Sequence, residues 1–140
     1  MDGGKVYLDA SVVLRRMLRQ QGAMEGWSDW ELAVTSEIMQ LEVLRTLDRL
    51  RLGGKASEKE RADCQAELRV YASRCQVIPI HSGILRRAAG PFPAPLGALD
   101  AIHLASALIW MEVNSEDLTF LTHDQGLAVC ARACGVVVKG

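Results

Sequence analysis

Short apolar runs alternate with longer stretches of helical periodicity along the chain, and this alternation limits the available folds more than any other feature. Val6-Tyr7-Leu8, Leu32-Ala33-Val34-Thr35, residues 76–80, residues 118–121 and Val136-Val137-Val138 each read as a strand. Residues 11–19 carry apolar Val12, Val13, Leu14, Met17 and Leu18 at helical spacing, with Gly22 marking the end. A long helix follows an N-cap at Ser36 and is closed by Gly53-Gly54. Ser57 with Glu60 three residues on is a capping box, opening a polar, peripheral helix that runs to about Arg74. Residues 82–89, 98–111 and 125–133 read as three further helices, the last ending at Gly135, and the breaker-rich residues 90–97 form an irregular loop.

Strands joined through helices pair in parallel, because a parallel connection needs a crossover of about a dozen residues or more. The expected architecture is a three-layer α/β/α sandwich with a central parallel sheet. No repeat, linker or low-complexity tract divides the chain, so residues 1–140 are expected to form a single domain. In open sheets of this kind ligands bind beyond the carboxyl ends of the strands, which directs attention to the residues that follow them.

Composition removes several classes. With 49% apolar and 24% charged residues the chain is neither disordered nor fibrous. The first residues lack a basic region followed by an apolar one, and the apolar stretch 101–111, interrupted by His103 and Ser106, is too short to span a bilayer. A cytoplasmic location without membrane partners is therefore expected. Cys64, Cys75, Cys130 and Cys134 include no CxxC pair and no histidine at zinc-finger spacing, so they are read as reduced packing residues. The net charge of −1 gives no global attraction for nucleic acid, although 12 of the 16 basic side chains fall within residues 1–75 and could form a local basic rim. Trp27, Trp30 and Trp110 are candidates for a partner surface, with core packing as the alternative.

The chemistry concentrates in four acids. Asp9 directly follows the first strand, and Asp124 follows the strand 118–121 after Thr122 and His123. Each is placed where such folds do chemistry, and each could equally be a helix N-cap. Asp100 opens a helix that is apolar on nearly every face, where a carboxylate is costly unless paired, metal-bound or satisfied by the free amides of the first turn. Glu42 lies one to two turns beyond the second strand, on a face shared with Ile38, Arg45 and Arg49, where a surface pair with Arg45 is the simple account. His103, one turn after Asp100, reads as a support for Asp100 or a packing residue rather than a metal ligand. Ser11 either donates to a carboxylate or phosphate or caps the helix after it. Four carboxylates in one pocket repel, so a cation must offset them, and an oxygen-only donor set suits Mg²⁺ or Mn²⁺ rather than zinc.

The segments Tyr7-Leu8-Asp9-Ala10-Ser11, Thr35-Ser36 through Leu41-Glu42-Val43, Leu99-Asp100-Ala101-Ile102-His103-Leu104-Ala105 and Leu121-Thr122-His123-Asp124 together resemble the PIN-domain family, and more specifically the VapC-like toxins of bacterial toxin–antitoxin pairs. They stand in the family's order and span nearly the whole chain. The resemblance implies a metal-dependent endoribonuclease with Mg²⁺ or Mn²⁺ at Asp9, Glu42, Asp100 and Asp124, Ser11 beside the metal, and a structured RNA such as tRNA or rRNA as substrate. It also implies a homodimer and a small antitoxin that covers the acidic site. Arg45 and Arg49 are candidate RNA contacts. Two alternatives remain open at this stage. A catalytically silent module that only binds partners is one. An aspartate-nucleophile phosphatase is the other, and it commonly places a second Asp two residues after the nucleophile, where this chain has Ser11.

Overall fold

The structure is a computed structural model that describes residues 4–19 and 29–140; Gly22 and Trp27 lie outside the described residues. Five strands form one sheet: β1 (Lys5–Leu8), β2 (Leu32–Ser36), β3 (Gln76–Ile78), β4 (Thr119–Leu121) and β5 (Val138–Lys139). Their order is β3-β2-β1-β4-β5 and every pairing is parallel. Six helices connect them: α1 (Ala10–Met17), α2 (Ile38–Leu52), α3 (Glu58–Ser73), α4 (Ser82–Ala88), α5 (Ala98–Asn114) and α6 (Gln125–Ala133).

The pleat of β1 explains the layering. Val6 and Leu8 point into one apolar cluster with α1, α2 and α3 residues such as Val13, Val43 and Leu68, while Tyr7 points into another with Leu104, Phe120 and Leu127. A strand buried on both faces needs a continuous apolar run, as β1 has. The result is the expected α/β/α sandwich. Its chain runs from β1 outward through β2 to β3, then returns to the other side of β1 for β4 and β5. The carboxyl ends of β1 and β4 therefore flank the point where strand order reverses, which is where such sheets open a crevice.

Helix ends follow local chemistry. Ser57 and Glu60 form the reciprocal capping box at α3. Gly54 and Gly135, at φ 73° and 85°, take the left-handed residue after α2 and α6; Lys55 N donates to Leu50 O and Val136 N to Ala131 O, closing each end with the same motif.

Several boundaries differ from the sequence reading. β3 stops at Ile78 instead of residue 80, because Pro79 has no N–H for the ladder, and Ile80 N donates to the Glu37 carboxylate instead. The N-cap of α2 is Glu37, although Ser36 Oγ still accepts from Ile38 N. α5 continues three residues past Met111 to Asn114, where Ser115 turns left-handed. β5 begins at Val138, since Val136 N is committed to the α6 cap. Trp110 is buried in the second cluster, the core-packing alternative, and Trp30 packs partly buried against the first. Cys130 is buried and the other three thiols are partly buried, in keeping with packing roles. Among the described residues, no helix is long and apolar enough to cross a membrane.

Candidate active site

Asp9 leaves β1 with its N–H bonded to Leu121 O of β4, which places its carboxylate at the sheet's crevice. It stands at the N-cap position of α1, yet its side chain makes no capping bond. Its Oδ2 accepts from Ser11 Oγ at 2.6 Å and from Thr122 Oγ1 at 2.7 Å, and the residue is 3% exposed. Both hydroxyls accept in turn from the backbone, Ser11 Oγ from His123 N at 2.9 Å and Thr122 Oγ1 from Asp124 N at 3.0 Å. Amides thus point at hydroxyls and hydroxyls at the carboxylate, an arrangement that satisfies a buried anion on one of its two oxygens.

The other oxygen, Oδ1, lies 3.6 Å from Nε2 of His103. His103 rises from α5, fully buried, and the same Nε2 is 2.5 Å from Glu42 Oε1 of α2. Its Nδ1 is 2.8 Å from the hydroxyl of Tyr7. Burial, and next the charge of Asp9, push the Tyr7 hydroxyl well above its usual range, so it keeps its proton at neutral pH.

Asp100 lies in the first turn of α5. Burial chiefly, then the negative charges of Asp124 and Asp9, raise its carboxyl to about 6; His103 acts in the opposite sense and Glu42 adds to the rise. Asp124 is the N-cap of α6, with Oδ1 accepting from Leu127 N at 2.8 Å. Asp9, Ser11, Glu42, Thr46, Asp100 and Asp124 all line one cavity of about 190 Å³, and among the described residues no lysine or arginine lines it. The acids share its wall without yet converging: among the described residues no three acid, histidine or cysteine side chains meet at a common ligation point.

A family model described as "PIN domain" matches residues 6–133. The chain belongs to the PIN-domain family. It is 27% identical over 139 residues to "Ribonuclease VapC47" of Mycobacterium tuberculosis (strain CDC 1551 / Oshkosh), a match covering 94% of this chain and 93% of the relative. The solved "Toxin-antitoxin complex from Klebsiella pneumoniae" shares the fold with a TM-score of 0.64 at 18% identity, covering 89% of this chain and 91% of that one.

Within this PIN domain the structure gathers Asp9, Glu42, Asp100, Asp124 and Ser11 at one cavity. It resolves several of the alternatives left by the sequence. Ser11 donates to Asp9 rather than capping α1. Asp124 does cap its helix, with one oxygen. Glu42 pairs with His103 and not with Arg45, which bonds Asp48 at 3.3 Å instead. His103 supports Glu42 and Asp9, whereas the sequence offered support for Asp100 or simple packing; it points across the sheet end toward α2 rather than back along α5. Arg45 and Arg49 stand exposed on α2 outside the cavity lining, Arg49 donating to Thr46 Oγ1 at 3.2 Å.

Thr122, Tyr7 and Thr46 escaped the sequence reading. Two of them left a signal. Thr122 precedes Asp124 by two residues as Ser11 follows Asp9 by two, and Tyr7 shares the strand face of Asp9 because side chains alternate with period 2.

Proposed function

We propose that this PIN-domain chain is a metal-dependent endoribonuclease, the toxin of a toxin–antitoxin pair, with Asp9, Glu42, Asp100 and Asp124 holding Mg²⁺ or Mn²⁺. The observation that carries this reading is that four carboxylates, drawn from the ends of β1 and β4 and from α2 and α5, line one cavity at the strand-order reversal. The donor set fits the ion. All four groups are hard oxygen donors, the cavity lining holds no cation of its own among the described residues, and Asp100 binds its proton more tightly than an ordinary carboxyl, chiefly through burial and then through the negative charges of Asp124 and Asp9. A positive ion relieves that repulsion. When bound, Mg²⁺ or Mn²⁺ supplies activation of a water molecule and charge neutralisation at a phosphodiester.

The residues divide the remaining work. Ser11 and Thr122 fix Asp9 through Oδ2 and leave Oδ1 facing Nε2 of His103 at 3.6 Å. The capping bond of Asp124 fixes that side chain at the rim. Arg45 and Arg49, exposed on α2, are placed to meet phosphates of a bound RNA outside the acid pocket. Likeness to a protein named a ribonuclease, over nearly the full length of both chains, supports RNA as the substrate, with tRNA or rRNA as the first candidates. The fold shared with a solved toxin–antitoxin complex supports a small antitoxin as partner. We further read the chain as one domain, working as a homodimer in the cytoplasm. An aspartyl-phosphate mechanism is disfavoured by Ser11, which stands where that chemistry commonly places a second Asp and instead donates to Asp9.

Asp9→Asn tests the reading. In a cleavage assay with total tRNA and rRNA in Mn²⁺, the variant is expected to lose at least about 100-fold of the wild-type rate, the upper end of what even an outer-sphere partner of a metal costs. Circular dichroism should show the fold intact. Cleavage by the variant at the wild-type rate ends the proposal. A short upstream reading frame encoding a DNA-binding protein would identify the antitoxin.

A further inference from the structure

We infer that His103 is a positioning residue: held by Tyr7, its imidazole ties the α2 carboxylate Glu42 next to the β1 carboxylate Asp9 and so sets the acid cluster's geometry before any ion arrives. The inference rests on the metal-site reading above and deepens it.

Glu42 has three rotatable side-chain bonds and stands half-buried at the edge of the packed face of α2, with exposed Leu41 and Arg45 on its solvent side. The inward bond comes from α5, in the opposite layer, through His103 Nε2 at 2.5 Å. His103 cannot swing away. It is fully buried, its ring meets that of Tyr7 edge-on at 5.8 Å, and Tyr7 is itself stacked on Phe120 at 5.0 Å. The direction of the bonds follows from the donors available. An ionised carboxylate only accepts, so Nε2 carries an N–H toward Glu42, and in the neutral ring Nδ1 then accepts from the Tyr7 O–H. That N–H lies between two carboxylates, 2.5 Å from one and 3.6 Å from the other, and a donor in that place offsets their mutual repulsion. The same geometry excludes His103 as a ligand, because Nε2 is engaged by Glu42 and Nδ1 by Tyr7, and the residue does not line the cavity.

Calorimetric titration of the full chain with Mn²⁺ tests the tie without any substrate. His103→Leu is expected to weaken Mn²⁺ binding about 10- to 100-fold, the usual cost of losing a group that orients a metal-bound side chain. His103→Gln, which restores an N–H donor, should recover most of the loss, and Tyr7→Phe should give an intermediate one. A purely structural histidine would lower stability without obeying one further condition. Against a Glu42→Ala background, His103→Leu should cost no additional Mn²⁺ affinity, because the tie acts through Glu42. If His103→Leu fails to fold, Tyr7→Phe and His103→Gln carry the same comparison. Full additivity of the His103 and Glu42 losses, or wild-type affinity in folded His103→Leu, overturns the positioning role while leaving the metal site standing. A wild-type chain that takes up no Mn²⁺ overturns both.

Discussion

At the residue scale, the site depends on small hydroxyls as much as on acids. Thr122 receives an amide and gives a hydrogen bond to Asp9 while 2% exposed. Thr122→Val keeps the shape and removes both, leaving a buried carboxylate one donor short. The expected loss is about 2 kcal/mol in urea denaturation at pH 7, within the range for hydrogen bonds to charged groups; an unchanged midpoint would show that Ser11 alone suffices. Asp100 makes a prediction of the opposite sign. Its folded carboxyl titrates at about 6 against 3.8 for the free group, so the folded state binds the extra proton and stability falls as pH rises from 4 to 6. Asp100→Asn should therefore be more stable than the metal-free wild type at pH 7, by about 1 kcal/mol once solvent screening at this half-buried group is allowed for. That advantage should vanish below pH 4. Equal stabilities at both pH values would mean that neither burial nor the other acids press on Asp100.

At the element scale, helix α3 stands apart: it packs on α1 and α2 and contributes no residue to the acid cavity. Ser57→Ala opens its capping box and is expected to cost about 1 kcal/mol of stability while leaving RNA cleavage at the wild-type rate, as paired denaturation and cleavage assays would show. Loss of cleavage would place α3 in the function after all. The elements were legible in the sequence where local chemistry decides them. Ser57 with Glu60, Gly53-Gly54 and Gly135 marked helix ends that the structure keeps, and Asp9 and Asp124 marked strand ends. Legibility failed where a partner distant in sequence decides. Glu42 looked like a surface glutamate beside Arg45 because its partner, His103, is 61 residues away. His103 looked like a support for Asp100 or a packing residue because sequence shows helix neighbours and hides the element packed opposite. The edges of β3 and β5 moved for a similar reason, since a proline and a helix cap took amides that the apolar pattern had assigned to the ladder.

At the scale of the whole molecule, the acids come from both sides of the sheet: Glu42 from the α2 layer, Asp100 and Asp124 from the α5 and α6 layer, and Asp9 from the central strand. An ion held by them joins the two outer layers through the middle one, and an ion that binds only the folded chain stabilises all of it. At Mn²⁺ one hundred times its dissociation constant the gain is about 2.7 kcal/mol, which for a chain of this length raises the thermal midpoint by several degrees. EDTA should reverse the rise, and Asp9→Asn should abolish it. Protons compete for the same oxygens, so the rise should shrink as pH falls through the region near 6 where Asp100 takes up its proton. A midpoint that climbs equally with Mn²⁺ in wild type and Asp9→Asn would trace the effect to adventitious surface carboxylates and remove the cavity's claim to the ion.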